Sequence, residues 1–383
     1  MKNWLTYIFL WMAGTLGMLT TSCSQEDEEL DKVFSSDGKV TVEFSIALGN
    51  TGTGSRATWG DQPYDDDPNK TEDEEMNIGD FFENQIILWQ FSVNLILSDN
   101  STPIPIQRLT RVDSTDDNVY EFKGEVEVRS PKDLTGAKVE VRANMNSADD
   151  SFTTNYTTYP GFGVANIPMW GVHTIDAMDV QNLLLTASST ISISRPIYLL
   201  RAMAKIEVAL NETLATEGYT LEGVGLNKYN SKGYLLPTGS FGYTDSYDRE
   251  ACFHPYTDAN NTSIVASADY SGLLFQVASD KKSCVIYLPE YNNGNSDLQA
   301  KVNIYKGTES ISDKLNSQGI FDIQGNVVRN HWYKYTITKI NMDTDIEFTL
   351  KYQVMNWTDI DNGTLNFGNG DGDVTKEDET ASN

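Results

Sequence analysis

The residues able to do chemistry are few and badly spaced for it. The chain of 383 residues holds three histidines, His173, His254 and His331. None sits in an HExxH or any other metal-ligand spacing, and neither a GxSxG elbow nor a P-loop is present. His331 lies in an aromatic strand, where packing or surface roles are expected. Carboxylates are abundant: Asp and Glu number 55 against 28 Lys and Arg, a formal net charge of −27. A glycosidase needs two carboxylates at a fixed separation, and in so acidic a chain any chosen pair is uninformative. Asp65, Asp66 and Asp67 lack flanking ligands at fixed spacing and read as a solvated loop. In the segment beginning Asn369, Asp371, Asp373, Val374 stands where a calcium loop needs Gly and Thr380 where it needs the bidentate Glu. No catalytic residue, metal or cofactor is expected. The charge also excludes nucleic acid, because such a surface repels phosphate.

One cysteine does point to chemistry. Residues 1–22 carry a single cation, Lys2, then an apolar run over 4–19, which is short for a membrane span and suited to an export signal. The run closes on Leu19-Thr20-Thr21-Ser22-Cys23. An apolar residue, small residues and then Cys resemble the lipobox of bacterial lipoproteins, which implies an acylated Cys23 as the mature N-terminus. An ordinary secretory signal with a chance Cys is the alternative. Several acyl chains, at ~0.8 kcal/mol per buried CH₂, anchor durably where one does not. Residues 23–39 form an acidic tether. The acids in 24–31 are either simply solvated or similar to the signal that sends Bacteroidia lipoproteins to the outer face of the outer membrane. Cys252 and Cys284 either pair in an oxidising compartment or leave Cys284 as a buried thiol within the apolar run SCVIYL.

The elements around these residues read as β. Hydrophobic residues make up 39% of the chain and aromatics 11%, with 19 Tyr and 15 Phe, a strand-favouring composition. Residues 40–48, VTVEFSIAL, place Val40, Val42, Phe44, Ile46 and Leu48 in alternation with Thr41, Glu43, Ser45 and Ala47. A period of two marks a half-buried strand. A loop of small residues follows, with Arg56 near its end. Residues 76–97 read as a strand buried on both faces, entered through a helical turn, with Trp89 and Trp170 expected in the core. Alternating runs follow at 119–128, 138–145, 206–210 and 346–354; 219–236 reads as two strands with a turn at Ser231-Lys232-Gly233, 283–290 as a buried strand ending at Pro289, and 300–305 and 333–340 as further strands. No stretch reads as a long helix, and no 20–50-residue repeat is present. The polar tail 368–383 is expected to be disordered.

Five short motifs recur in order: Ile167-Pro168-Met169-Trp170-Gly171, Leu200-Arg201-Ala202-Met203-Ala204-Lys205-Ile206, Tyr229-Asn230-Ser231-Lys232-Gly233-Tyr234, Ile286-Tyr287-Leu288-Pro289-Glu290 and Arg329-Asn330-His331-Trp332-Tyr333-Lys334-Tyr335. With the lipobox and the early arginine, they resemble the fimbrillin family, the type V pilins of Bacteroidia, over most of the mature length. The resemblance implies an all-β fold of two transthyretin-like β-sandwich domains in tandem, over 40–198 and 199–367.

The resemblance also implies assembly into surface fimbriae that support adhesion. A lipid-anchored precursor reaches the outer membrane. An arginine-specific protease cuts between Arg56 and Ala57 and residues 40–56 leave. A strand from another fimbrial subunit takes the place of Val40, Val42, Phe44, Ile46 and Leu48 by β-strand addition. A stalk subunit carries its own donor strand near the C-terminus. Beyond Trp357 the large apolar residues are only Ile360, Leu365, Phe367 and Val374, so either 346–354 donates or this is a tip or accessory subunit that donates nothing. The alternative function is a monomeric surface lipoprotein that binds a host protein or glycan on exposed aromatics, with Trp59, Trp89, Trp170, Trp332 and Trp357 as candidates.

Overall fold

The structure, a computed structural model, describes residues 39–48, 85–99, 102–112, 120–128, 131–145, 150–154, 167–185, 189–193, 195–237, 253–270, 274–275, 277–294, 296–315, 319–341, 347–356 and 366–368. The fold is all-β, with two large hydrophobic cores.

The first half, which holds the first core, comprises strands β1 (Lys39–Leu48), β2 (Gln85–Ile87), β3 (Phe91–Ile96), β4 (Ile104–Pro105), β5 (Gln107–Val112), β6 (Tyr120–Glu127), β7 (Lys138–Ala143), β8 (Ser151–Thr153), β9 (Met169–Thr174), β10 (Thr190–Ser192) and β11 (Ile197–Arg201). Nine of these form one sheet in the order β4-β3-β7-β9-β11-β1-β6-β5, with β10 also beside β1. β4 and β5 are nearly continuous in the chain, yet β4 pairs with β3 and β5 with β6. Residues 104–112 therefore join the two ends of the sheet, which wraps around its core.

The second core begins with β12 (Met203–Leu210), one residue beyond β11. It continues through β13 (Tyr219–Leu226), β14 (Lys228–Asn230), β15 (Lys232–Tyr234), β16 (Ile264–Ala266), β17 (Leu274–Phe275), β18 (Ser283–Pro289), β19 (Gln299–Lys306), β20 (Glu309–Ser310), β21 (Ile320–Asp322), β22 (His331–Asn341) and β23 (Glu347–Asn356). Sheet β18-β12-β22-β23 faces the sheet built on β17, β13, β19, β20 and β21. The inward residues come from both: Ile206 and Val208 on one side, Leu221, Val224, Val302 and Ile304 on the other. This is the interdigitation of a β-sandwich.

The two halves touch through strand pairing as well as packing. β8 pairs with β15, and the last strand, β24 (Asn366–Gly368), pairs in parallel with β2. Phe152 packs against a cluster holding Met145, Trp170, Leu200 and Leu235, and against another holding Ile167, Met203 and Tyr287. A Cβ on Gly233 would lie 2.4 Å from the Phe152 ring, so any larger residue there would displace that ring.

One short helix adds to the elements read from sequence, and one local expectation is corrected. Residues 177–185 form a helix, Ala177–Leu185, started by the Asp176 carboxylate, whose Oδ1 accepts the Met178 and Asp179 amides. Val180 and Leu183 anchor it to the first core. Trp89 is 64% exposed rather than core. It sits on a 3₁₀ turn, Leu88–Gln90, that separates β2 from β3. The turn breaks the continuous strand expected over 76–97 and rotates the indole outward, while Ile86, Ile87, Val93 and Leu95 stay buried. Residues 76–84 lie outside the described residues.

Candidate functional site

β1 lies inside the first sheet. It pairs antiparallel with β6, from Lys39 opposite Glu127 to Ile46 opposite Tyr120. On its other side it runs parallel to β10 and then to β11, with Val42 opposite Ile191 and Ile46 opposite Ile197. The Thr41 amide donates to the Ser189 carbonyl and the Ile193 amide to the Glu43 carbonyl, both at 2.8 Å. Val40, Val42, Phe44 and Ile46 are all buried in the first core, whereas Glu43 is exposed. Leu48 ends the strand opposite Leu199; its side chain lies outside the described residues. Burial of four such side chains, at ~1.5–3 kcal/mol each, amounts to roughly 6–12 kcal/mol gross, comparable to the net stability of a domain.

The walls of the site differ along its length. Val40 faces Val126, and Phe44 faces Phe122, whose ring is stacked on it with centroids 5.7 Å apart and planes at 17°. Phe122 in turn meets Phe91, with centroids 5.3 Å apart. Val42 faces Gly124, where a Cβ would lie 2.5 Å from Ile106 Cγ2 and 2.9 Å from Leu109 Cδ2. On the outer side the Ser192 hydroxyl donates to Glu43 Oε2 at 2.9 Å. In sequence these walls show only as an alternating run, with nothing local to pair them with β1. The signal was present in 120–127, where Phe122, Gly124 and Val126 alternate with Glu121, Lys123 and Glu125.

Cys23, Arg56, Ala57, Trp59, Cys252 and Trp357 lie outside the described residues, as do 369–383. Cys284 is buried, its Sγ lies 3.8 Å from the Phe275 carbonyl oxygen, and burial pushes its pKa up to about 12. Trp170 is buried, with its indole N–H donating to Glu140 Oε1 at 2.9 Å. Glu140 Oε2 also accepts from Arg142 Nε at 2.9 Å. Burial works against the charge on Arg142, but Glu140 and Asp150 outweigh it and its pKa is raised. Trp332 is half-buried under Lys205, whose Nζ lies 4.4 Å from the ring centroid. Among the described residues no group of three or more His, Cys, Asp or Glu could hold a metal ion. Among them too, no helix is long and apolar enough to cross a membrane.

The five motifs of the sequence converge where the two halves meet. Arg329 and Glu290, each 1% exposed at the side chain, pair through Nη2 and Oε2 at 2.8 Å. Arg329 also donates to the carbonyls of Tyr234 and Leu235, and Glu290 accepts the amides of Arg329 and His254. The Asn230 side-chain amide donates to the Glu290 carbonyl, and Arg201 donates to Asn330. Pairing and hydrogen bonding on this scale are what let two charges be buried at all.

No protein-family model matches the chain, and no curated protein matches it in sequence. It is similar to solved structures. These include the tip fimbrial protein Mfa3 from Porphyromonas gingivalis with a C-terminal truncation, at 11% identity over 83% of this chain and 100% of that one, with a TM-score of 0.41. A putative cell adhesion protein from Parabacteroides distasonis matches at 13% identity over 83% of this chain and 97% of that one, with a TM-score of 0.41. A fimbrial assembly protein from the same organism matches at 13% identity over 82% and 98%, with a TM-score of 0.39.

Proposed function

We propose that the chain is a subunit of surface fimbriae, held by an acylated Cys23 in the outer membrane until residues up to Arg56 are removed, and that another subunit's strand then replaces β1. One observation carries this reading. Among the described residues β1 alone lies between β6 and the β10–β11 pair, and every core-facing side chain described on it is buried. Its loss leaves two unpaired strand edges flanking an apolar slot, which a foreign strand of the same rhythm fits. An open slot is a template for aggregation, so departure and replacement are coupled.

β23 bears on the kind of subunit. It pairs with β22 from His331 opposite Asn356 to Asn341 opposite Glu347, and Phe348, Leu350 and Tyr352 pack on the second core. A strand so committed at home is a poor donor. This supports a tip or accessory subunit, which accepts a strand and gives none. Arg56→Ala tests the scheme: the mature wild-type chain, treated with an arginine-specific protease, loses the residues up to Arg56 and polymerises or docks, and the variant does neither. Equal behaviour of the two overturns it. Cys23→Ala abolishes lipid labelling and membrane retention.

The exposure of Trp89 favours a second reading, in which the protein is a monomeric surface lipoprotein that stacks glycans on that indole. A glycan binder stays monomeric after cutting at Arg56, and Trp89→Ala removes its binding.

A further inference from the structure

The slot under β1 is not uniform, and its shape prescribes a sequence. At Phe44 the facing residue is Phe122, and Phe91 lies beyond it, so three rings make a continuous aromatic row through the first core. An aliphatic side chain placed there loses the ring stack and leaves a void. Two residues earlier the situation reverses. Val42 faces Gly124, and the space above Gly124 is already filled by Ile106 and Leu109. Facing positions on paired strands are only about 5 Å apart. A ring at Val42 therefore drives into Ile106. At Ile46 the neighbours are Tyr120 on one side and Ile197 on the other.

We infer that the slot selects its incoming strand by the order of side-chain sizes, small β-branched at the Val42 position and aromatic at the Phe44 position, and not by alternation alone. The partner is a β-strand that runs antiparallel to β6 and parallel to β11. It carries a hydrogen-bond acceptor at the Glu43 position, outside the core, to meet the Ser192 hydroxyl. A slip by two residues puts the ring over Gly124, and a slip by one turns every apolar side chain to solvent. The pair Gly124 and Phe122 thus sets register as well as identity. This inference rests on the strand-exchange reading above.

The test uses the full chain with a specific protease site inserted after Arg56, so that both pieces stay together after cutting. The cut protein is incubated with fluorescent KVTVEFSIAL, or with the same peptide bearing Val42→Phe and Phe44→Val together. The two peptides have identical composition, hydrophobicity and alternation. Anisotropy reports binding, and mass spectrometry reports the released segment. The native-order peptide should bind at least about 100-fold more tightly than the exchanged one, the scale expected when a core ring is lost at one site and overpacked at another. Phe122→Leu in the protein should narrow that ratio, leaving the native-order peptide still able to enter. Equal binding of both peptides overturns the selection rule and leaves strand exchange standing. Failure of both, with residues 39–48 still seated, overturns the exchange itself and the rule with it.

Discussion

Replacing Phe44 by alanine removes the ring at the centre of the first core. The side chain is 3% exposed, and its ring lies flat against Phe122. A buried Phe covers on the order of 150–250 Å², and at ~25 cal/mol per Å² its complete loss is worth about 4–6 kcal/mol. Alanine keeps the Cβ and recovers some of that area, while the cavity adds a penalty. The expected cost is therefore about 4 kcal/mol, within the range for Phe→Ala in cores. With an m-value of about 2 kcal/mol/M in urea, the midpoint of the transition that reports the first core falls by about 2 M. A second variant, Phe122→Ala, closes a double-mutant cycle, and the rings should show a coupling of about 1 kcal/mol. The assay is urea unfolding of the full chain by circular dichroism and tryptophan fluorescence, with the second core as internal control. A loss below about 1 kcal/mol, the size of a typical surface substitution, would refute the reasoning, because β1 would then contribute nothing to the core it enters.

Arg329→Met strands the Glu290 carboxylate at the junction of the halves and should cost about 3–5 kcal/mol. Adding Glu290→Gln should recover part of that, since it removes the stranded charge while its single side-chain oxygen still accepts one of the Arg329 and His254 amides; no recovery would mean that charge is not the cause. The Cys284 thiol, held up to about 12 by burial, should resist alkylation at pH 8 in the folded chain and react in urea. The Asp258 carboxylate is held down to about 2, chiefly by the Thr262 amide and also by the Ser263 and Asn260 amides. Its depressed pKa means the loop's support is complete above the ordinary carboxylate range and is lost as pH falls through about 2. An NMR titration of Asp258 showing an ordinary carboxylate midpoint would contradict that.

The parts of the fold legible in sequence were those governed by short-range periodicity. Val40 to Ile46 declared their strand because one face is apolar and the other polar. The helix Ala177–Leu185 did not declare itself, because only Val180 and Leu183 anchor it and its start depends on the single cap at Asp176. Trp89 was misplaced because an apolar run hides a 3₁₀ turn, which reverses the facing of one residue without changing composition. The partners of β1 were beyond reach for a different reason. β10 and β11 lie about 150 residues away, and parallel pairing at that separation is set by topology, not by local signal. The motif residues Arg201, Asn230, Glu290 and Arg329 were visible one by one. Their burial at one junction follows only once β12, β18 and β22 lie side by side.

The most direct measurement is the N-terminal sequence, with a peptide map, of this protein recovered from purified surface fibres. The account predicts subunits that begin at Ala57, without the peptide spanning 39–48, and with another chain's strand protected from hydrogen exchange beside β6. Fibre-derived subunits that still carry residues 39–48, protected and paired with β6, would contradict it.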